Sequence, residues 1–233
     1  MKSITFNLLF IGFLVCLFSC EEEEIITETP DDIVPTVIKD EVLQEIERMF
    51  PEKENFRAGH PELFEVSAEK NILLSKESEI YLTFVSEGAG FKNSLGFYTY
   101  QKGNEPSDPS ALDLQILFPN VSDDILNQGD MLQLGKGTFP AGTVVGFFLI
   151  KKGWSGEVNY DNETFYTDID FNTETQQHVL FKLEEFDEII LAFEDKMPSE
   201  NSDLDYNDII FTISDNRDQN ITDSFDLRKV VEY

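Results

Sequence analysis

The sequence predicts an all-β fold, an antiparallel β-sandwich of the jelly-roll kind. Three observations carry that expectation. From about residue 62 onward, short β-rich segments recur with no helical stretch between them. Turn signals separate them: Pro106 and Pro109, Gly135 and Gly137, Gly153 and Gly156, and Pro198. Val144-Val145-Gly146-Phe147-Phe148-Leu149-Ile150 is apolar on both faces, the pattern of a central strand covered on each side.

The elements follow in order. Asp40 reads as a helix N-cap, with Val42, Leu43, Ile46, Met49 and Phe50 at helical spacing behind it and Pro51 as the stop. This predicts a short amphipathic helix over about residues 40–50, packed on the domain or presented to a partner. Residues 79–85 and 94–100 are β-rich, and the Gly88/Gly90 loop between them reads as a hairpin connection. Further strands are expected at 114–118, 131–134, 143–151, 157–160 with 164–167, 178–183, 188–193 and 208–214. Residues 216–233 form either a last edge strand or a tail.

The N-terminus carries an address. Met1-Lys2 supplies a positive charge, residues 4–18 form a short apolar run, and Ser19 precedes Cys20 and the acidic run Glu21 to Glu24. A charged start, a short apolar core and a small residue before the cut describe a secretory signal. The apolar run is too short to span a hydrocarbon core, which needs about 20 residues. A cysteine directly after the cut, with Leu17 three places before it, resembles the lipobox of bacterial lipoproteins. That resemblance implies a signal peptide over 1–19 and a lipid anchor at Cys20. The acidic run behind Cys20 resembles the signal that sends some Gram-negative lipoproteins to the outer surface, so the expected place is the bacterial outer membrane, surface-exposed. Residues 20–39, acidic and Thr- and Pro-bearing, are expected to form a flexible tether, and residues 40–233 a single domain.

Composition narrows the chemistry. The 233-residue chain has only two cysteines, Cys16 in the apolar run and Cys20 at the expected anchor. None remains for a disulfide, a zinc site or a thiol nucleophile. The formal charge is −29, from 17 basic and 46 acidic residues. Phosphate binding needs basic patches, so nucleic acid is excluded as a partner. Most of the acids solvate the surface, and some of them can converge on divalent cations that offset their repulsion.

The sharpest local signal is Asp203-Leu204-Asp205-Tyr206-Asn207-Asp208, set between two predicted strands. Alternating carboxylate and amide oxygens in a loop suit Ca²⁺, which takes six to eight hard oxygen ligands. Glu194 and Asp195 close the preceding strand and are placed to reach the same ion. The motif is not an EF-hand: counting Asp203 as one, position six is Asp208 rather than Gly and position twelve is Ser214 rather than Glu. Asp168-Ile169-Asp170-Phe171-Asn172 repeats the spacing, so Asp168, Asp170 and Asn172 form a possible second site or half of one cluster. The plain alternative for both loops is Asp and Asn capping turns. Trp154, Tyr160, Phe165 and Tyr166 flank one another and form either an aromatic platform for a ligand or ordinary packing.

Several blocks also carry a family resemblance. Ser94-Leu95-Gly96-Phe97-Tyr98-Thr99-Tyr100, Leu117-Phe118-Pro119-Asn120, Gly142-Thr143 running into the apolar strand with Gly153-Trp154, Phe193-Glu194-Asp195, and the Asp203 to Asp208 loop resemble, in that order, the LruC-type lipoproteins. Over the C-terminal half the chain is similar to the domain of unknown function 4114. The resemblance covers roughly residues 79–214. It implies a β-rich, surface-associated module with an acidic loop and no established reaction, and it does not extend to the 168–172 loop. Many LruC-type proteins have a longer N-terminal region.

An enzyme is not expected. The only histidines are His60, in a Gly-His-Pro turn, and His178, in a strand pattern. The chain has no Ser-centred nucleophile elbow and no phosphate-cradling glycine loop. A carboxylate pair for glycoside hydrolysis is the one catalytic alternative among so many acids. The leading expectation is a calcium-binding module for ligand binding or adhesion, with a glycan or an envelope protein as partner. The alternative is a structural envelope or matrix protein that recognises a protein without metal.

Overall fold

The computed structural model describes residues 26–173, 175–217 and 223–233. The expected signal peptide and Cys20 lie outside the described residues. Among those described, no helix is long and apolar enough to cross a membrane.

Twelve strands are described: β1 (Val34–Pro35), β2 (Ile72–Leu73), β3 (Tyr81–Glu87), β4 (Asn93–Gln101), β5 (Gln115–Val121), β6 (Asp130–Gln133), β7 (Thr143–Ile150), β8 (Thr164–Tyr166), β9 (His178–Leu183), β10 (Glu188–Phe193), β11 (Ile209–Ser214) and β12 (Val231–Glu232). Two helices accompany them, α1 (Asp40–Met49) and α2 (Phe56–Gly59). One sheet runs β1-β6-β3-β11-β10-β9-β12, and the other runs β2-β7-β4-β5 with β8 added beside β7. Pairing is antiparallel except where β12 lies parallel to β9. This is the expected β-sandwich with few helices.

Strand alternation builds three apolar layers. Between the sheets, Phe84, Leu191, Phe193, Phe211 and Ile213 of one meet Leu95, Phe97, Phe118, Phe147 and Leu149 of the other. On the outer side of the larger sheet, Val179, Phe181, Ile190, Ala192 and Ile210 are covered by Val42, Ile46 and Met49 of α1 and by Phe50, Phe56 and Leu63. The helix is therefore a packed lid on that sheet. On the outer side of the smaller sheet, Tyr98, Phe148 and Ile150 form a third cluster, joined by Tyr100, Ile116 and Tyr166. Strand β7 is buried along its whole length because both its faces are apolar and both are covered.

Four local expectations differ from what is seen. Lys39, not Asp40, is the N-cap of α1; Asp40 and Glu41 lie in the first turn, where acids favour the helix dipole. β3 and β4 do not pair as a hairpin: the Gly88/Gly90 loop carries the chain from one sheet to the other. Residues 157–160 form no strand, only an isolated bridge between Trp154 and Val158. The later part of the expected tether lies on the body of the protein. Val34 and Pro35 pair with β6, Ile38 is buried, and Glu28 accepts hydrogen bonds from Asn120 at 2.8 Å and Lys92 at 3.3 Å. Of the final segment, Val231–Glu232 form an edge strand, β12.

Two glycines make the outer face of the smaller sheet possible. Across the β4–β7 ladder, Gly96 is opposite Phe148 and Tyr98 is opposite Gly146. A Cβ on Gly146 would sit 2.3 Å from the Tyr98 ring, and one on Gly96 would sit 2.3 Å from the Phe148 ring. Each glycine makes room for the aromatic ring facing it. Gly146→Ala is expected to destabilise by about 1–3 kcal/mol through overpacking. Urea unfolding measures this, and an unchanged midpoint would contradict the clash.

His178 opens β9 fully buried. Burial, with the Lys70 ammonium nearby, holds its pKa down to about 3. An unfolded chain would take up this proton near pH 6.5. The stability His178 allows is therefore complete above that pH and falls as pH drops toward 3, by about 1.4 kcal/mol per unit within the window. His178→Leu is expected to lose less stability than the parent between pH 7 and pH 4 in denaturant titrations. Parallel losses would rule this out.

Candidate metal centre at the junction of β10 and β11

β10 and β11 are neighbours, with Phe193 paired to Ile209 at the end of their ladder. Glu194 and Asp195 leave β10 at this point, and Asp208 enters β11 beside them. Ladder geometry alone thus sets three carboxylates side by side. Asp208 Oδ2 accepts the Asp195 backbone N–H at 2.7 Å, which locks the two strand ends together.

The intervening loop folds back to add Asp203 and Asp205. Leu204 and Tyr206 both have positive φ, 60° and 56°, in an arrangement that costs non-glycine residues energy. Packing against the helical layer holds them. Tyr206 is fully buried, its ring centroid 5.2 Å from Phe64 and 6.0 Å from Phe56, and its hydroxyl donates to Gln176 O at 2.8 Å. Leu204 O accepts from Phe56 N at 2.9 Å. Between these anchored residues Asp205 is turned inward, and its Oδ2 accepts the Lys53 backbone N–H at 2.9 Å.

Two overlapping groups result, Glu194 with Asp203 and Asp205, and Glu194 with Asp195 and Asp208, each with its oxygens within 4.8 Å of one another. Glu194 is 1%, Asp195 0%, Asp205 3% and Asp208 8% exposed, while Asp203 stands at the surface. Asn93 donates to Asp195 Oδ2 at 2.8 Å. Glu194 Oε2 and Asp195 Oδ1 are buried without a hydrogen-bond partner. Burial pushes the Glu194 carboxyl above its usual range, against hydrogen bonds from Ser202 and Asp208. Burial, then the charges of Asp195 and Glu194, push Asp208 up to about 9. At the rim, Glu87 is raised to about 7 by burial and by the charges of Asp123, Asp195 and Asp124.

This donor set suits one kind of ion. It is all oxygen, multiply anionic and gathered from two strand ends and a loop, as Ca²⁺ prefers. Mg²⁺ keeps more of its water and asks for stricter geometry. Zinc would look for histidine or cysteine, and neither belongs to these groups. Glu194, Asp195, Asp203, Asp205 and Asp208 are placed to contribute. Asn207 is half-buried, its backbone N–H reaching Asp205 Oδ1 at 3.4 Å and its oxygens facing Gly88.

The second loop does something else. Asp168 is held by three side chains: Tyr98 donates to its Oδ2 at 2.9 Å, and Tyr100 and Asn71 donate to its Oδ1 at 3.0 and 2.8 Å. Burial, together with Asp168, raises both phenols above their usual pKa, so both stay protonated donors. Asn172 clamps the Tyr166 backbone, accepting from its N–H at 2.7 Å and donating to its carbonyl at 2.8 Å. Asp170 is exposed. Among the described residues, no three-carboxylate group includes this loop. The aromatic residues are likewise dispersed. Phe165 points into the inter-sheet core, Tyr166 to the opposite face, Trp154 is 9% exposed and Tyr160 is 52% exposed.

Sequence reading missed Asn93, the Lys53 amide and Glu87. All three reach the centre from distant parts of the chain, and no local pattern marks them. Asp208→Asn keeps the acceptor for the Asp195 amide and is neutral without taking up a proton. In EDTA at pH 7 it is expected to melt above the parent, because the parent folds only by protonating a carboxyl that is ionised in the unfolded chain. A lower melting temperature would show that these charges are not in conflict.

With this geometry in view, the comparisons with known proteins are narrow. The model of a domain of unknown function, DUF4114, matches residues 139–216. That span begins just before β7 and runs through β11, and so contains both acidic loops. No curated protein and no solved structure matches the chain.

Proposed function

We propose that this chain is a lipid-anchored surface protein of the LruC type. Its β-sandwich binds Ca²⁺ and serves in ligand binding or adhesion rather than catalysis. The observation that carries the reading is the set of four buried carboxylates, Glu194, Asp195, Asp205 and Asp208, with two of their oxygens unpartnered. A divalent cation relieves that repulsion and ties both strand ends to the loop between them. The same burial speaks against glycoside hydrolysis, since these acids are poorly placed to reach a polysaccharide. The lipobox-like run ending at Cys20 supports the anchor and, with the acidic residues behind it, an outer-membrane location.

Thermal unfolding of the chain lacking residues 1–19, with Cys20→Ala, tests the metal. Millimolar calcium is expected to raise the melting temperature by about 5–10 °C over EDTA, if it reaches about 100 times its dissociation constant. Asp195→Asn is expected to abolish most of that rise, and magnesium to give less. Equal melting in calcium and EDTA would remove the metal from the proposal. Metabolic labelling with palmitate is expected to mark the parent chain and not Cys20→Ala; undiminished labelling would overturn the anchor.

A further inference from the structure

A cleft lies away from the carboxylate centre, and none of the carboxylates of that centre lines it. It has a volume of about 660 Å³, within the range of small-ligand sites. Its floor is the network already described: Asp168 gripped by Tyr98, Tyr100 and Asn71. Three donors on one carboxylate fix that floor, so the surface is preorganised rather than fluid. Asn71, 5% exposed, belongs to that floor and keeps its Oδ1 without a partner.

The charge of the cleft is unlike that of the chain. The chain has 17 basic and 46 acidic residues, whereas four basic and five acidic side chains line this cavity. Lys102 and Lys229 stand exposed at the rim, as does Asp170. Arg228 is held against Asp226 by paired bonds of 2.8 and 2.5 Å, so donor and acceptor face the space together. A simple anion entering would meet five carboxylates, and a simple cation four positive groups. A hydroxyl both donates and accepts, and is satisfied by either. Phe171, half-buried and braced edge-on by Tyr166 at 5.7 Å, adds an apolar wall for the face of a sugar ring.

We propose that the cleft floored by Asp168, Tyr100 and Asn71 binds a neutral oligosaccharide, with Asp170 and Lys102 bonding its hydroxyls and Phe171 packing on a ring. This deepens the binding-module reading and rests on it, yet the cleft is separate from the metal centre. The Asp168 loop then has a role that its resemblance to the Asp203 loop conceals: it shapes a saccharide floor instead of holding an ion.

Calorimetric titration of the calcium-loaded chain, without residues 1–19 and with Cys20→Ala, tests this. The probes are cello-, xylo-, manno- and maltohexaose, with hexagalacturonate and chitosan hexamer as charged comparisons. At least one neutral hexaose is expected to bind. Asp170→Ala and Phe171→Ala are each expected to weaken it about tenfold or more without lowering the melting temperature. Lys102→Ala, on an exposed turn, replaces either variant if that variant melts early. No neutral binding, preference for a charged hexamer, or equal binding by all variants overturns the cleft. Calcium-dependent melting, measured on the same samples, separates the readings. If the hexaose binds and calcium gives no shift, the metal reading alone fails; if calcium shifts melting and no hexaose binds, the cleft alone fails.

Discussion

Mutual repulsion of carboxylates held out of water is the constraint around which this molecule is arranged. Glu194, Asp195 and Asp208 cannot move apart, because the β10–β11 ladder that carries them is buried on both faces. Asp205 cannot swing outward, because Tyr206 beside it is locked under the helical layer. The apolar packing of three layers therefore holds together a group of charges that would separate in a softer protein. Raised proton affinity at Asp208 and Glu194 is one response to that confinement, and the cation proposed here would be a stronger one.

The helical layer thus does more than cover a greasy sheet. α1 and α2 bury the outer face of β9, β10 and β11, and the same residues reach the acidic loop. Phe56 donates its backbone N–H to Leu204, and Lys53 donates to Asp205. The segment between the helices is therefore a second wall of the centre, although it lies some 150 residues away in sequence. Order in the loop and docking of the helices are coupled through these bonds.

Much of the sheet architecture was legible because strand periodicity is local. β7 announced its double burial through an unbroken apolar run, and β9, β10 and β11 appeared at nearly their observed limits. What could not be read was long-range. β1 and β2 are two residues each, too short for any period, and exist only because β6 and β7 offer partners. Gly88 and Gly90 looked like a hairpin because turn chemistry does not reveal which sheet the next strand joins. The two Asp-rich loops show the limit most sharply. Their first five positions share one pattern, yet one loop hangs from a buried ladder end with its carboxylates crowded together. The other lies beside two tyrosine hydroxyls that satisfy its first aspartate. The neighbours supplied by the fold, not the motif, separate the two chemistries.

The seating of the chain on the body from Glu28 onward has a consequence for standoff from a membrane. With the anchor proposed at Cys20, eight steps of chain run from Cys20 to Glu28. At full extension that is roughly 28 Å of chain. A strongly acidic body on so short a leash begins within about three screening lengths of the lipid headgroups. An anionic leaflet would push back on it there. Tether and repulsion acting together would limit how the sandwich can tumble, so that the membrane's charge and the salt around it would help set which end of the protein meets the outside world.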